Sequence, residues 1–105
     1  MEWGFTVKEI TTQMQIDNQL ENSDGVFVTG VKNVGLGGTG GLRRGDVIIK
    51  INNIDIPQLS SFKVEYENQV NSKSKKVLLT VRRNSSIRFV LLVNDDKDGD
   101  KINEE

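Results

Sequence analysis

Residues 41–52 read GLRRGDVIIKIN, a turn followed by a short apolar run. Gly41 and Gly45 can adopt the positive φ angles that other side chains resist and that tight turns often require. Asp46 comes directly after the second glycine and can accept backbone N–H bonds within such a turn. The apolar run Val47–Ile51 predicts a strand. This stretch therefore predicts a defined turn that leads directly into a strand.

Strand patterns also lie on both sides of this stretch. Near the start of the chain, Trp3, Phe5 and Val7 alternate with small or polar residues, which is the period of a half-buried strand. A polar turn around Asn84 joins the last two apolar runs, Val77–Val81 and Ile87–Val93, so these runs are expected to form a hairpin. The other strand segments are Val26–Val31, Val77–Val81 and Ile87–Val93.

One segment has helical periodicity. Leu59, Phe62, Tyr66 and Val70 stand at positions i, i+3, i+7 and i+11, which places them on one face of a helix of about three turns. One of the two serines at positions 60 and 61 can cap its N-terminus. We expect Val70 to lie in the core, and Phe62 and Tyr66 to be shared between the core and an adjoining groove.

Two other stretches are less regular. Ile10–Leu20 has weak helical spacing after Thr11 and Thr12, which can serve as N-terminal caps, and it predicts a short helix or turn. Gly35–Gly40 fits the letters G-x-G-x-x-G of dinucleotide-binding loops, but the helix that must open at the last glycine is missing. We therefore interpret this stretch as a loop and not as a phosphate site.

The composition argues against an enzyme. The chain has 105 residues with no cysteine and no histidine, so it has no disulfide, no thiolate nucleophile, no zinc finger and no imidazole base. The formal net charge is −1, which gives no strong field toward nucleic acid or a membrane surface. There is also no apolar run of about 18 residues that could span a bilayer. These observations favour a binding module of one domain without a cofactor.

Charge is concentrated in two places. A basic cluster without any acid between its members either contacts an anionic partner or serves solubility, and no interleaved aromatic residues suggest a nucleic-acid platform. Residues 95–105 carry six acids and two lysines and are expected to form a disordered tail outside a domain of residues 1–94. Their spacing is only weakly similar to a calcium-binding loop, because the flanking helices are missing. The basic cluster consists of Lys73, Lys75, Lys76, Arg82, Arg83 and Arg88.

The ordered set of segments resembles a PDZ domain. Its most specific part is the pattern G-L-x-x-G-D-x-I-x-x-I-N at residues 41–52, which follows Glu2–Phe5 and Gly25–Val31. A strand is added at the end of the chain, at Ile87–Val93, as in the circularly permuted PDZ domains of bacterial HtrA/DegP-like, trypsin-type serine proteases. The opening departs from that pattern, since Glu2 stands where those domains have a tyrosine.

The resemblance implies an α+β fold, a five- to six-stranded, partly open antiparallel barrel or sandwich with one main helix at about residues 59–70 and one short helix. In such domains a peptide C-terminus adds as a strand between a sheet edge and the main helix. The resemblance implies a loop for the peptide carboxylate at Trp3, Gly4 and Phe5. The peptide ladder and groove that it implies consist of Thr6, Val7, Lys8, Leu59, Phe62 and Tyr66.

The resemblance leaves two kinds of function open. The first is a substrate-binding or regulatory module of an HtrA/DegP-like protease in protein quality control, with C-termini of peptides or unfolded proteins as partners and a protease domain upstream. The alternative is a structural or oligomerisation PDZ domain with an occluded groove, or the PDZ domain of another protease or a secretion-system protein. The same resemblance implies an extracytoplasmic location, in the periplasm, in the cell envelope or outside the cell. It implies no catalytic residue, metal or cofactor, no nucleic acid and no membrane insertion.

Overall fold

The computed structural model describes residues 2–20 and 22–94, which form one sheet and three helices. The strands are β1 (Phe5–Glu9), β2 (Val26–Val31), β3 (Val47–Ile51), β4 (Ile54–Asp55), β5 (Lys76–Arg83) and β6 (Ser86–Val93). The helices are α1 (Thr12–Asp17), α2 (Leu36–Thr39) and the main helix α3 (Leu59–Asn71). Because α1 and α2 are both short, the described part of the chain has two short helices where one was expected. The predicted acidic tail, and with it the weak calcium pattern, lies outside the described residues.

The strands form a six-stranded sheet in the order β1-β2-β3-β5-β6, with β4 paired to β3. Every pair is antiparallel, and β5 and β6 form the predicted hairpin around Asn84, whose φ is 58°. These findings confirm the α+β fold and the antiparallel sheet. In the described part of the chain, β1 and β6 lie at the two ends of the strand order, and the two-residue β4 pairs only with β3.

The core lies between the inner face of the sheet and α3. The side chains of Ile48 and Ile51 on β3 and of Leu79 and Val81 on β5 are fully buried. Phe62, at the centre of the apolar face of α3, is also buried and belongs to the same cluster. The periodicity that predicted the helix therefore also identifies the face by which it packs.

The helices α1 and α3 differ in the group that caps the N-terminus. The Thr11 hydroxyl accepts the N–H of Met14 at 3.1 Å, so the predicted cap of α1 is confirmed. The predicted serine cap of α3 is wrong, because this helix begins at Leu59 after Gln58, whose side chain forms no capping bond. The Glu9 carboxylate of β1 takes that role and accepts the Leu59 N–H at 3.3 Å. A partner 50 residues away in sequence cannot be found by local spacing.

Asp46 holds the turn that precedes β3 in place. Its carboxylate accepts the Arg43 N–H at 2.9 Å, as predicted, and it is only 1% exposed. Arg83 donates to both carboxylate oxygens of Asp46, with Nε 2.8 Å from Oδ1 and Nη2 2.8 Å from Oδ2. It also donates to the Gly41 carbonyl. Hydrogen bonding to Asp46 raises the pKa of Arg83, although burial alone would lower it. Arg83 is therefore a structural residue, not a free member of the basic cluster.

Candidate functional site

The outer edge of β1 is free of strand partners in the described part of the chain. β1 pairs with β2 on one side only, and α3 lies near its other side. No hydrogen bond among residues 2–20 and 22–94 joins the backbone of Phe5–Lys8 to α3. The edge where the sequence predicts a bound strand is therefore not paired by the described residues themselves.

The pairing of β1 with β2 shows which backbone groups point to this free edge. Val28, opposite Val7, donates its N–H to the Asp46 carbonyl and accepts the Gly45 N–H, both at 2.9 Å, so both groups point away from β1. Because backbone groups alternate in direction along an antiparallel strand, Val7 turns its own N–H and C=O to the free edge. At the start of β1, Gly4 accepts the Lys32 N–H at 2.9 Å, which by the same alternation turns Phe5 outward as well.

Gly4 forms the bend that precedes this edge. Its φ is +78°, and a Cβ at this position would lie 2.8 Å from the Cα of Gly35, so a close backbone contact as well as the left-handed conformation requires glycine. The Gly37 N–H donates to the Trp3 carbonyl at 2.9 Å and fixes the bend from the other side. The backbone N–H groups of Trp3 and Gly4 have no acceptor among the described residues. Neighbouring free N–H groups at a bend of this kind can hold an anion.

The Gly-rich stretch around α2 supports this bend by close packing. A Cβ on Gly37 would lie 2.7 Å from Cδ2 of Phe5, and one on Gly35 would collide with Gly4. The interpretation of this stretch as a loop is wrong at Leu36–Thr39, where the chain forms the short helix α2. Gly35 and Gly37 are therefore required by the close approach of this stretch to the start of β1.

Four aromatic rings lie between the bend and α3. Trp3 and Tyr66 meet edge to face with 4.7 Å between ring centroids, and Phe62 stacks on Tyr66 at 6.1 Å. Phe5 contacts Phe62 at 6.3 Å. Trp3, Phe5 and Phe62 are at most 5% exposed, whereas Tyr66 is half-buried. Phe62 is therefore a core residue with almost no surface of its own, and Tyr66 is the ring that reaches the surface.

The remaining predicted site residues lie along the free edge. Val7 and Leu59 are half-buried against the core, while Thr6 and Lys8 are exposed. The Thr6 hydroxyl bonds that of Thr29 on β2 at 2.7 Å, which places it on the outer face of the sheet and away from α3. Val7 and Leu59, together with Tyr66, are thus the predicted side chains that offer partial apolar surface.

Two hydrogen bonds hold β1 beside α3, one at each end. The Glu2 N–H donates to the Tyr66 hydroxyl at 2.7 Å, and the Leu59 N–H donates to Glu9. Glu9 was missed by the sequence analysis, because an exposed acid at the end of a strand has no local signal. These two bonds fix the separation of strand and helix, and they leave the backbone of residues 5–8 unpaired toward the helix.

The described residues contain no helix that is long and apolar enough to cross a membrane. A comparison with curated protein sequences finds no match.

Solved structures with this fold include domains with bound peptides. The chain is 26% identical to the HtrA3 PDZ domain bound to a phage-derived ligand (FGRWV), with a TM-score of 0.69 over 86% of this chain and 80% of that one. It is 27% identical to the HtrA-type protease AlgW with a decapeptide, with a TM-score of 0.73 over 87% of this chain but only 27% of that one. The PDZ domain of EpsC from Vibrio cholerae is similar in fold, with a TM-score of 0.61 over 88% of this chain and 95% of that one at 16% identity.

The family model for the PDZ domain matches residues 1–82, which is more than half of the chain. This match extends from the bend at Gly4 through α3 into β5, and so it covers the whole candidate site. The chain belongs to the PDZ domain family.

Proposed function

We propose that this domain binds the C-terminus, or an extended segment, of a target polypeptide as an added strand along the free edge of β1. PDZ domains are binding modules and not catalytic ones, and the family model for this domain matches residues 1–82 of the chain. The observation that carries the proposal is the outward direction of the Val7 N–H and C=O, which follows from the bonds of Val28. Strand addition uses such unpaired backbone groups for affinity.

In this proposal the peptide carboxylate lies at the bend before β1. The N–H groups of Trp3 and Gly4 are free among the described residues, and Phe5 turns its N–H to the same edge. Charge-assisted hydrogen bonds from these groups would hold the carboxylate. Phe5 and Val7 would then continue the ladder, while Thr6 and Lys8 pair with β2 and would contact the peptide through their side chains only.

The last side chain of the peptide would contact the apolar surface of Val7, Leu59 and Tyr66. Phe62 and Phe5 form the floor beneath them, since both are buried. The aromatic rings that fill this region favour a small or medium apolar residue at the peptide terminus. A short ladder and one apolar contact suggest a micromolar dissociation constant, about −8 kcal/mol.

The likeness to HtrA3 and AlgW supports a finer proposal, in which the domain serves as a substrate-binding or regulatory module of an HtrA-type protease. The chain spans about a quarter of AlgW, so a protease domain belongs to this proposal only. An extracytoplasmic location is proposed on the same likeness. A role in recognising unfolded proteins would follow from that assignment.

The pentapeptide FGRWV, with either a free or an amidated C-terminus, tests the binding mode. We expect the amidated form to bind at least tenfold more weakly, because a charged acceptor contributes about 1.5–3 kcal/mol to its hydrogen bonds. Isothermal titration calorimetry at one salt concentration measures both affinities. Equal affinities would show that the carboxylate is not bound at the bend and would favour recognition of an internal segment, whereas no binding of either form would favour an occluded groove.

A further inference from the structure

A second surface of the domain, away from the free edge of β1, concentrates arginines around two adjoining clefts. The first cleft has a volume of about 460 Å³ and lies between the turn after α1 and the β5–β6 hairpin, where Arg43, Arg44, Arg82 and Arg83 line it. The second, of about 430 Å³, lies along the end of β2, and Arg43 and Arg44 line it as well. We call Arg43, Arg44 and Arg82 the arginine surface.

No carboxylate among the described residues neutralises the arginine surface. Among residues 2–20 and 22–94, Asp46 is the only acid that lines the first cleft, and its two oxygens already accept bonds from Arg83 and from the Arg43 N–H. No acid lines the second cleft within the part of the chain that the structure describes. Arg43, Arg44 and Arg82 form no ion pair within residues 2–20 and 22–94. Counted over the described residues, the first cleft therefore has four positive charges and one negative charge, and three of its arginines form no ion pair.

The other groups in these clefts suit an anionic ligand. Gln19, Asn84 and Ser85 add amide and hydroxyl donors to the first cleft, whereas the Asn18 amide already donates to the Met14 carbonyl. Arginine is the side chain best matched to a carboxylate or phosphate, because its planar fork can donate two parallel hydrogen bonds. The fold thus places the exposed Arg43 and Arg44 and the half-buried Arg82 around one recess, where several donors can reach the same ligand.

The extent of the surface indicates an elongated ligand. Arg43 and Arg44 belong to both clefts, so the positive surface continues from one to the other. It ends beyond Arg82, where a third cleft also contains Asp24 and Asp55. A single small anion would occupy only one part of this length. None of the described residues that line the three clefts is aromatic, so they offer no platform on which nucleic-acid bases could stack.

We propose that the arginine surface binds a carboxylate-rich segment of a polypeptide, at a site separate from the edge of β1. Its Asp or Glu side chains would bind Arg44 and Arg82 in the first cleft and Arg43 at the junction with the second. This contact depends on side-chain charge and not on a free C-terminus. It adds a second point of attachment to a domain that holds its other ligand by backbone pairing.

A labelled hexaglutamate peptide with an amidated C-terminus is the probe, because it carries no terminal carboxylate for the bend at Gly4. Fluorescence anisotropy with the full chain should show binding in 50 mM NaCl that weakens several-fold in 200 mM NaCl. The triple variant Arg43→Gln, Arg44→Gln, Arg82→Gln should bind at least tenfold more weakly than the natural chain, and its affinity for FGRWV should be unchanged.

The matched control is the triple variant Lys73→Gln, Lys75→Gln, Lys76→Gln, which removes the same net charge at the other end of the β5–β6 hairpin. We expect it to bind hexaglutamate within about threefold of the natural chain, since the charges that it removes lie outside the clefts. Equal losses in both triple variants, or no binding by the natural chain, would overturn the proposal. A stronger response to inorganic triphosphate, a single-stranded oligonucleotide or phosphatidylserine vesicles would also overturn it. Circular dichroism checks that each variant is folded.

Discussion

Replacing Arg83 with methionine is expected to destabilise the domain by about 3 kcal/mol or more, because the change leaves the Asp46 carboxylate buried without its cation. Asp46 is 1% exposed, and Arg83 supplies two of the three hydrogen bonds that its oxygens accept. Domains of this size usually have a free energy of unfolding of about 5–15 kcal/mol, so the loss would be a large fraction of the total. Urea denaturation followed by tryptophan fluorescence at Trp3 measures it.

Arg82→Met is the matched control, since it removes an equal charge from the neighbouring position without breaking an ion pair of the described residues. Its effect on the free energy of unfolding should stay within about 0.5 kcal/mol. The raised pKa of Arg83 means that its contribution is present below the unfolded-state value and is lost only as the pH rises through the higher folded-state value. The difference between the two variants should therefore be constant between about pH 7 and pH 9. Similar losses in both variants would contradict the structural role of the Asp46–Arg83 pair.

Gly4→Ala is expected to reduce both stability and peptide affinity. The left-handed conformation costs a residue with a side chain about 1–2 kcal/mol. The new methyl group would also lie 2.8 Å from the Cα of Gly35, in backbone that cannot move without disturbing α2. We expect a total loss of about 2–4 kcal/mol in the free energy of unfolding, since overpacking adds to the strain. The affinity for FGRWV should fall at least tenfold, because the bend holds the N–H groups that receive the carboxylate.

The Gly45→Ala variant is the control for Gly4→Ala, because it separates the effect of the steric collision from the effect of backbone strain. Its φ is +94°, yet a Cβ at this position would meet no atom within 4 Å. The conformational cost should thus be about 1–2 kcal/mol, without the additional loss expected at Gly4. Peptide affinity, measured under conditions where both variants are folded, should be lower only for Gly4→Ala. Equal affinities of the two variants would argue against a role of the bend in binding.

Local patterns predict most of the fold. Strand alternation identifies β1, and helical spacing identifies α3, because in both cases burial of one face sets the period of the sequence. The turn before β3 is also predicted, since Asp46 bonds a backbone group only three residues away. Each of these features depends on residues that are close together in the chain.

Long-range partners are what local patterns miss. The Glu9 carboxylate on β1 caps the N-terminus of α3, and Arg83 pairs with an acid 37 residues earlier. Phe62, which was expected to shape part of the groove, lies in the core instead. Helical spacing shows which residues share a face of the helix, but it does not show how deeply that face is buried. The arginine surface likewise combines residues from two segments, which only the packing of the β5–β6 hairpin beside the turn at Gly45 brings together.

Amide hydrogen exchange with and without FGRWV tests the addition of a strand to β1 most directly. The account predicts that the N–H groups of Phe5 and Val7 gain protection on binding. Those of Thr6 and Lys8, already paired with β2, should change little. Protection that rises equally at all four positions, or that rises on β6 and not on β1, would contradict it.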